Sequence, residues 1–172
     1  MLAIMYLRGI KMKKNTEKTN VMRILDQKKI PYNNYCYADT DALSGVEVAT
    51  VLNQNPNKVF KTLVTMSASK SYYVFLVPVE KELDLKKAAK AVGEKSISMI
   101  KSKELLPLTG YIHGGCSPIG MKKQFVTTVH FTAADFETIL FSAGKIGYQV
   151  ELSLDELKKA INFNLADIIC EG

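Results

Sequence analysis

Neither a helix nor a strand can run through the stretch Gly110-Tyr111-Ile112-His113-Gly114-Gly115-Cys116-Ser117-Pro118-Ile119-Gly120-Met121-Lys122-Lys123. Its four glycines favour turns over regular elements, and Pro118 withdraws a backbone donor. The stretch is therefore a loop, and one that can bring bare backbone close to a ligand. Successive free N–H groups in such a turn form a concavity suited to an anion or oxyanion, and Lys122 and Lys123 add positive charge beside it. An ordinary surface turn would account for the glycines equally well.

A second segment, Val59-Phe60-Lys61-Thr62-Leu63-Val64, alternates as a strand with apolar residues on both faces. Such a strand is covered on both sides, which leaves Lys61 in mid-strand among apolar neighbours. A desolvated ammonium is costly unless paired, so Lys61 is a functional candidate. The competing reading is an edge-strand lysine that reaches solvent.

Around these two segments the chain alternates helices and strands. A helix is expected over 17–29, with Val21, Ile24 and Leu25 on one face and Pro31 beyond its end. Tyr35 and Tyr37 alternate along a strand. Ser44 with Glu47 forms a capping box for a helix through Leu52. The Lys61 strand and a strand over 72–77 read as a hairpin. Asp84 caps a helix over 85–91 with Gly93 at its end. A short strand at 96–100 and a short helix at 102–106 lead into the glycine-rich loop. Strands follow at 125–130, 138–141 and 148–152, and Ser153 with Glu156 caps a helix to about 162. Helices and hairpins interleaved in this way make an α+β domain with a mixed, mostly antiparallel sheet.

At 172 residues the chain suits one domain, with residues 1–11 as an N-terminal extension, disordered or peripheral, and 12–172 as the folded unit. Leu2-Ala3-Ile4-Met5-Tyr6-Leu7 is too short for a signal-peptide core or a membrane span. Three widely spaced cysteines, Cys36, Cys116 and Cys170, and only two histidines give no structural-zinc pattern, so no metal is expected. Free thiols point to a reducing cytoplasm. The net charge of +6 suits a polyanionic partner without establishing one.

Taken together, Phe60-Lys61-Thr62-Leu63, Gly110-Tyr111, Gly114-Gly115-Cys116-Ser117-Pro118-Ile119-Gly120 and Lys122-Lys123 resemble the YbaK family of free-standing aminoacyl-tRNA deacylases. These are related to the editing insertion of bacterial prolyl-tRNA synthetases. Further likeness lies in Leu85-Lys86-Lys87-Ala88-Ala89-Lys90 and Ser142-Ala143-Gly144-Lys145-Ile146-Gly147. It extends over residues 19–169, and the nearest branch is the one that removes cysteine from mischarged tRNA for proline. The resemblance implies a sheet curled into a partly open barrel with flanking helices, and no cofactor.

For the site, the resemblance implies that Lys61 and Thr62 line the pocket and act on the ester, with Lys61 at the carbonyl or ribose oxygens and Thr62 orienting a water or the ribose. The backbone of Gly114 and Gly115 is the candidate for holding the aminoacyl group or an oxyanion. Tyr37, Tyr111, Ser117, Pro118, Ser142, Gly144 and Lys145 are candidates for substrate binding, the last three as a second glycine turn facing the same cleft. Each has a plain structural alternative in strand packing or turn formation. Lys122, Lys123, Lys86 and Lys87 are candidates for the tRNA acceptor stem, or else a solvated surface. Cys116 near His113 suggests a cysteine hydrolase, but spacing shows neither a favoured thiolate nor an oriented histidine, and Cys116 is read as pocket lining.

Three functions follow from this likeness. The first is trans-editing of Cys-tRNA(Pro), or also Cys-tRNA(Cys), by hydrolysis or by elimination driven by the substrate's own thiol. The second is deacylation of Ala-tRNA(Pro), as in the synthetase insertion. The third is non-catalytic binding of charged tRNA or of a synthetase. The partners implied are the aminoacyl end of tRNA and a transient complex with prolyl-tRNA synthetase, with no membrane.

Overall fold

The computed structural model describes residues 17–171 throughout and, ahead of them, the backbone of residues 5–7 and 10–12. That leading backbone forms a two-stranded antiparallel hairpin of β1 (Met5–Leu7) and β2 (Ile10–Met12), which among the described residues pairs with neither of the other sheets. The expectation that residues 1–11 are disordered or peripheral otherwise lies outside the described residues.

Capping sets the helix boundaries. Thr19 accepts from Met22 N, so α1 (Asn20–Gln27) starts three residues later than its apolar period suggests. Ser44 accepts from Glu47 N at the head of α2 (Gly45–Val51), and the Glu47 carboxylate reaches back to Leu43 N. Asp84 accepts from both Lys86 N and Lys87 N at α3 (Leu85–Ala91). The helix α4 (Ser102–Thr109) runs past its expected end, carries Pro107 inside it, and stops at Gly110, whose N–H returns to Leu106 O. Ser153 opens α5 (Leu154–Ala160) by accepting from Glu156 N.

The strands fall into two further sheets. The larger contains β4 (Phe60–Ser67), β5 (Tyr72–Pro78), β6 (Ile97–Met99), β7 (Val126–His130) and β10 (Asn164–Ala166), in the order β10-β7-β5-β4-β6. In it β4 runs antiparallel to β5 and β6, while β7 runs parallel to β5 and β10. The smaller is antiparallel, β3 (Asn33–Cys36), β9 (Tyr148–Leu152) and β8 (Ile139–Ser142) in the order β3-β9-β8. Among the described residues one bridge, Val59 to Leu140, joins the two sheets. The mixed α+β expectation holds, and among the described residues these two sheets are joined by that one bridge without a closed barrel, which leaves the partly open barrel as what the resemblance implies.

The main core lies between the sheets, where Phe60, Val64 and Leu76 meet Phe141, Val150 and Leu152 under α1. Fully burying side chains of this kind contributes roughly 1.5–3 kcal/mol each. A second cluster gathers Tyr37, Val48, Leu52, Val59, Val79 and Leu140 around α2, and a third gathers Phe75, Val77, Ala88 and Ile168 around α3. Leu63 packs against the third cluster while Phe60 and Val64 belong to the first, so β4 is covered on both faces. The C-terminal segment returns to the turn after β5: Asp84 N donates to Ile168 O, Cys170 N donates to Glu82 O, and Leu83 bridges Ile169. No described helix is long and apolar enough to cross a membrane.

Candidate active site

The first residues of β4, the N-terminus of α2, the glycine-rich loop and the facing ends of β8 and β9 enclose a cavity of about 230 Å³. Lys61 and Thr62 enter from β4, Leu43, Ser44, Gly45 and Val48 from the start of α2 and the residues just before it, His113, Gly114 and Cys116 from the loop, and Ser142 and Gln149 from the small sheet. Close packing holds these walls together. Gly45 lies so near β5 that a Cβ there would fall 2.5 Å from Val79 Cγ1. A Cβ on Gly115 would lie 3.1 Å from Ile146 N, which brings the glycine-rich loop directly against the turn between β8 and β9.

Lys61 sits in register with Val77 and Thr62 with Leu76. The Lys61 side chain is 28% exposed and its ammonium pairs with Glu82 at 3.4 Å, a carboxylate that stands largely in solvent. Thr62 Oγ1 and Gln149 Oε1 are buried without a hydrogen-bond partner among the described residues. Buried polar atoms are almost always satisfied, so these two, on residues that line the cavity, call for a partner that the described residues do not supply, a water or a polar group.

Cys116 also lines the cavity, 8% exposed, and burial pushes its thiol up to about 12, against a smaller opposing effect of Thr109. A thiol held there is neutral at physiological pH and a poor nucleophile. His113 lines the same cavity, while His130 lies elsewhere, buried in β7, and accepts from Ile168 N through Nδ1. Burial lowers the His130 pKa and keeps the ring neutral.

The remaining candidates occupy different places. Tyr37 and Ser142 line the cavity, and Ser142 Oγ accepts from Gly144 N. Tyr111 is buried behind the loop, donates to Ile119 O, and presses on Gly144, which has φ +86° and would put a Cβ 2.8 Å from Tyr111 Cε1. Ser117 is fully buried and accepts from Ile119 N, with Pro118 buried beside it, so both shape the loop from inside. Lys145 turns to Glu17 at 2.7 Å and lies over the Tyr148 ring. None of Tyr111, Gly115, Ser117, Pro118, Gly144 and Lys145 is among the cavity-lining residues. Lys87 pairs with Asp167 and donates to Ile169 O, and Lys122 donates to Pro107 O. Lys86 and Lys123 are exposed.

Gln149 is the residue that sequence reasoning missed. Its alternation in Tyr148-Gln149-Val150-Glu151-Leu152 marks a strand face without saying that α2 covers it. Two residues along, Glu151 is buried as well, and four donors gather on it: Lys58, Thr138, Tyr35 and Asn33. Burial alone would raise its pKa, yet these partners hold it down at about 2. Glu151 and Lys58 therefore form a structural pair behind the cavity.

Known proteins resemble this chain over most of its length. The sequence model of the aminoacyl-tRNA editing domain matches residues 40–160. A protein of Enterococcus faecalis, provisionally named Cys-tRNA(Pro)/Cys-tRNA(Cys) deacylase EbsC, is 45% identical over 157 residues, covering 91% of this chain and 96% of its own. A crystal structure provisionally described as a trans-editing enzyme for prolyl tRNA synthetase superposes with a TM-score of 0.77 at 22% identity, covering 91% of this chain and all of its own. A scaffold used for computational epitope grafting has the same TM-score and identity over 88% of this chain and 95% of its own. At that identity the two structures speak for the fold alone.

Proposed function

The chain belongs to the aminoacyl-tRNA editing domain family, of the YbaK type, and from that premise we propose that it is a trans-editing deacylase that removes cysteine from mischarged Cys-tRNA(Pro). Cysteine and proline are close in size, so an activation pocket discriminates poorly between them, and a second site that destroys the wrong ester supplies the missing selectivity. The printed name of the Enterococcus faecalis relative supports the cysteinyl substrate.

The observation that carries the mechanism is a cavity lined, among the described residues, by a cation and polar side chains but by no activated protein nucleophile. Lys61 meets the carbonyl or ribose oxygens as a point charge, where it stabilises developing negative charge. Thr62 orients the ribose through its hydroxyl and the Gly114 backbone holds the aminoacyl group, while Gly115 packs against Ile146 and fixes the loop that presents it. With the Cys116 thiol pushed up to about 12, the substrate's own thiol is the better nucleophile. Its sulfur attacks the ester carbonyl, the S–C bond forms and the C–O bond to the ribose breaks. The thiol proton passes to the departing ribose oxygen, which frees tRNA and a cyclic thioester that water then opens. Holding sulfur and carbonyl together supplies the proximity such a step requires.

Tyr37 and Ser142 contact the aminoacyl group, while Tyr111, Ser117, Pro118, Gly144 and Lys145 fix the two loops that present it. Lys86, Lys122 and Lys123, with a smaller share for the already paired Lys87, supply salt-sensitive contacts to the acceptor stem that carry little sequence information. A transient complex with prolyl-tRNA synthetase in the cytoplasm would then provide tRNA selectivity.

The test compares deacylation of Cys-tRNA(Pro) and Ala-tRNA(Pro) by the wild type and Lys61→Ala. Preferential loss of the cysteinyl ester, abolished by the substitution, is the expected result. Cleavage of the alanyl ester instead would reassign the substrate, and binding without cleavage of either would make the protein a binding module.

A further inference from the structure

Two phenyl rings, Phe125 and Phe163, and three carboxamides, Gln124, Asn162 and Asn164, line a second cavity of about 260 Å³, between the start of β7 and the segment that joins α5 to β10. Phe125 meets the Tyr72 ring edge to face at 5.9 Å, and the Lys158 ammonium stands 5.9 Å from the centre of the Phe163 ring. Both phenylalanines are half-buried, and the three amide residues are exposed beside them. Among the described residues none of these carboxamides makes a hydrogen bond, so each keeps donors and an acceptor for a ligand. No carboxylate stands among the described residues of the lining.

The flanking sequence is cationic. Lys122 and Lys123 directly precede Gln124, and Lys158 and Lys159 close α5 just before Asn162. Lys122 donates to Pro107 O and Lys159 pairs with Glu156, whereas Lys123 and Lys158 pair with no carboxylate among the described residues. An unpaired base on a nucleic-acid strand uses all of these groups: its face stacks on an aromatic ring, its edge pairs with a carboxamide, and its phosphate meets a lysine. An apolar side chain seated in the cavity would use the rings and leave the amides unpaired. Strand register also sets this cavity apart from the ester site. Val126 pairs with Tyr73 and Lys61 with Val77, four residues along β5, or about 13 Å.

Resting on the reading that this chain acts on tRNA, we propose that the cavity between β7 and the α5–β10 connection binds an unpaired nucleobase of the RNA, stacked on Phe163 and Phe125 and paired through the amides of Gln124, Asn162 and Asn164. The base belongs to a nucleotide other than the one that carries the ester, and Lys123 and Lys158 meet adjoining phosphates. The cavity thereby distinguishes a single-stranded end from a paired one, which lysines alone do not.

The test follows, by fluorescence anisotropy, the binding of a labelled, uncharged acceptor-stem hairpin to the full chain, with its unpaired 3′ nucleotides or cut blunt. In Phe163→Leu, close in volume but without the flat ring, the hairpin with unpaired nucleotides should bind about 5- to 100-fold more weakly, the loss of one base–aromatic stack, while the blunt hairpin binds as before. Gln124→Ala, at an exposed position, should weaken the same hairpin by about fivefold or more. Unchanged binding in Phe163→Leu would overturn the proposal and leave the cavity to a protein partner. A loss shared equally by both hairpins would overturn it too. Should Phe163→Leu fail to fold, Gln124→Ala decides alone on the same comparison. Cleavage of Cys-tRNA(Pro) by the same preparations separates this proposal from the reading it rests on. Cleavage without any dependence of RNA binding on the cavity removes the base site alone. That dependence without cleavage sinks the deacylase and leaves the base site standing.

Discussion

Among the described residues Lys61 is held only by Glu82, across 3.4 Å and in a pair whose acidic member is 80% exposed. An ion pair so open to solvent contributes about 0–1 kcal/mol, so it points the ammonium without locking it. A substrate oxygen can displace the carboxylate at little cost.

The first prediction separates the two partners. Lys61→Ala should lower kcat/KM for ester cleavage by about 10²–10³, the usual effect of removing one charge-stabilising group. Glu82→Gln should change it by less than about fivefold, and that difference should vanish in high salt. Single-turnover deacylation at two ionic strengths reads both, and a Glu82→Gln defect as deep as that of Lys61→Ala would mean that the carboxylate takes part in the chemistry.

Cys116 should be dispensable for the reaction. With its thiol neutral and buried, Cys116→Ala is expected to keep kcat within about threefold, at a stability cost of about 1 kcal/mol from the lost packing. Activity assays beside urea unfolding check this, and a loss comparable to that of Lys61→Ala would restore the protein thiol as nucleophile.

Gly144 answers to two constraints at once, a left-handed backbone and the Tyr111 ring against it. Gly144→Ala should therefore destabilise the protein by about 2 kcal/mol or more. Activity should fall with it, since Ser142 in the same turn lines the cavity. Thermal melts and deacylation rates on the same sample give both numbers.

Acid stability should depend on Glu151. Its folded pKa of about 2 lies below the ordinary 4.5, so the carboxylate's contribution is fully present above pH 4.5 and is lost as pH falls from there towards 2. The shift corresponds to on the order of 3 kcal/mol. Urea unfolding of the wild type should weaken across that window. Glu151→Gln should be less stable at pH 7, because Lys58 is left partly buried without its counter-charge, and flatter across the same window.

Part of this architecture is legible in the sequence and part is not, for physical reasons. Phe60-Lys61-Thr62-Leu63-Val64 announces a strand covered on both faces, because apolar side chains alternate on each, and β4 is packed on both sides. The caps at Ser44, Asp84 and Ser153 are local chemistry and act where the sequence puts them. By contrast, β10 has three residues and exists because β7 offers a parallel partner, a tertiary fact with no local trace. The turn at Pro56–Lys58, capped by Asn55, and the one at Phe131–Asp135 were likewise not foreseen. Gln149 eluded the reading for a related reason. In a strand a glutamine between apolar residues signals solvent, and only the placement of α2 makes that face an interior one.

The cavity wall is drawn from stretches that lie far apart along the chain, from Tyr37 to Gln149, and the sheet that carries Lys61 is extended through parallel pairings. Contacts between distant segments form late, because each long loop must close before anything rewards it. The helices are seven or eight residues long, too short to hold without packing, so a refolding chain has no pocket until both sheets have paired.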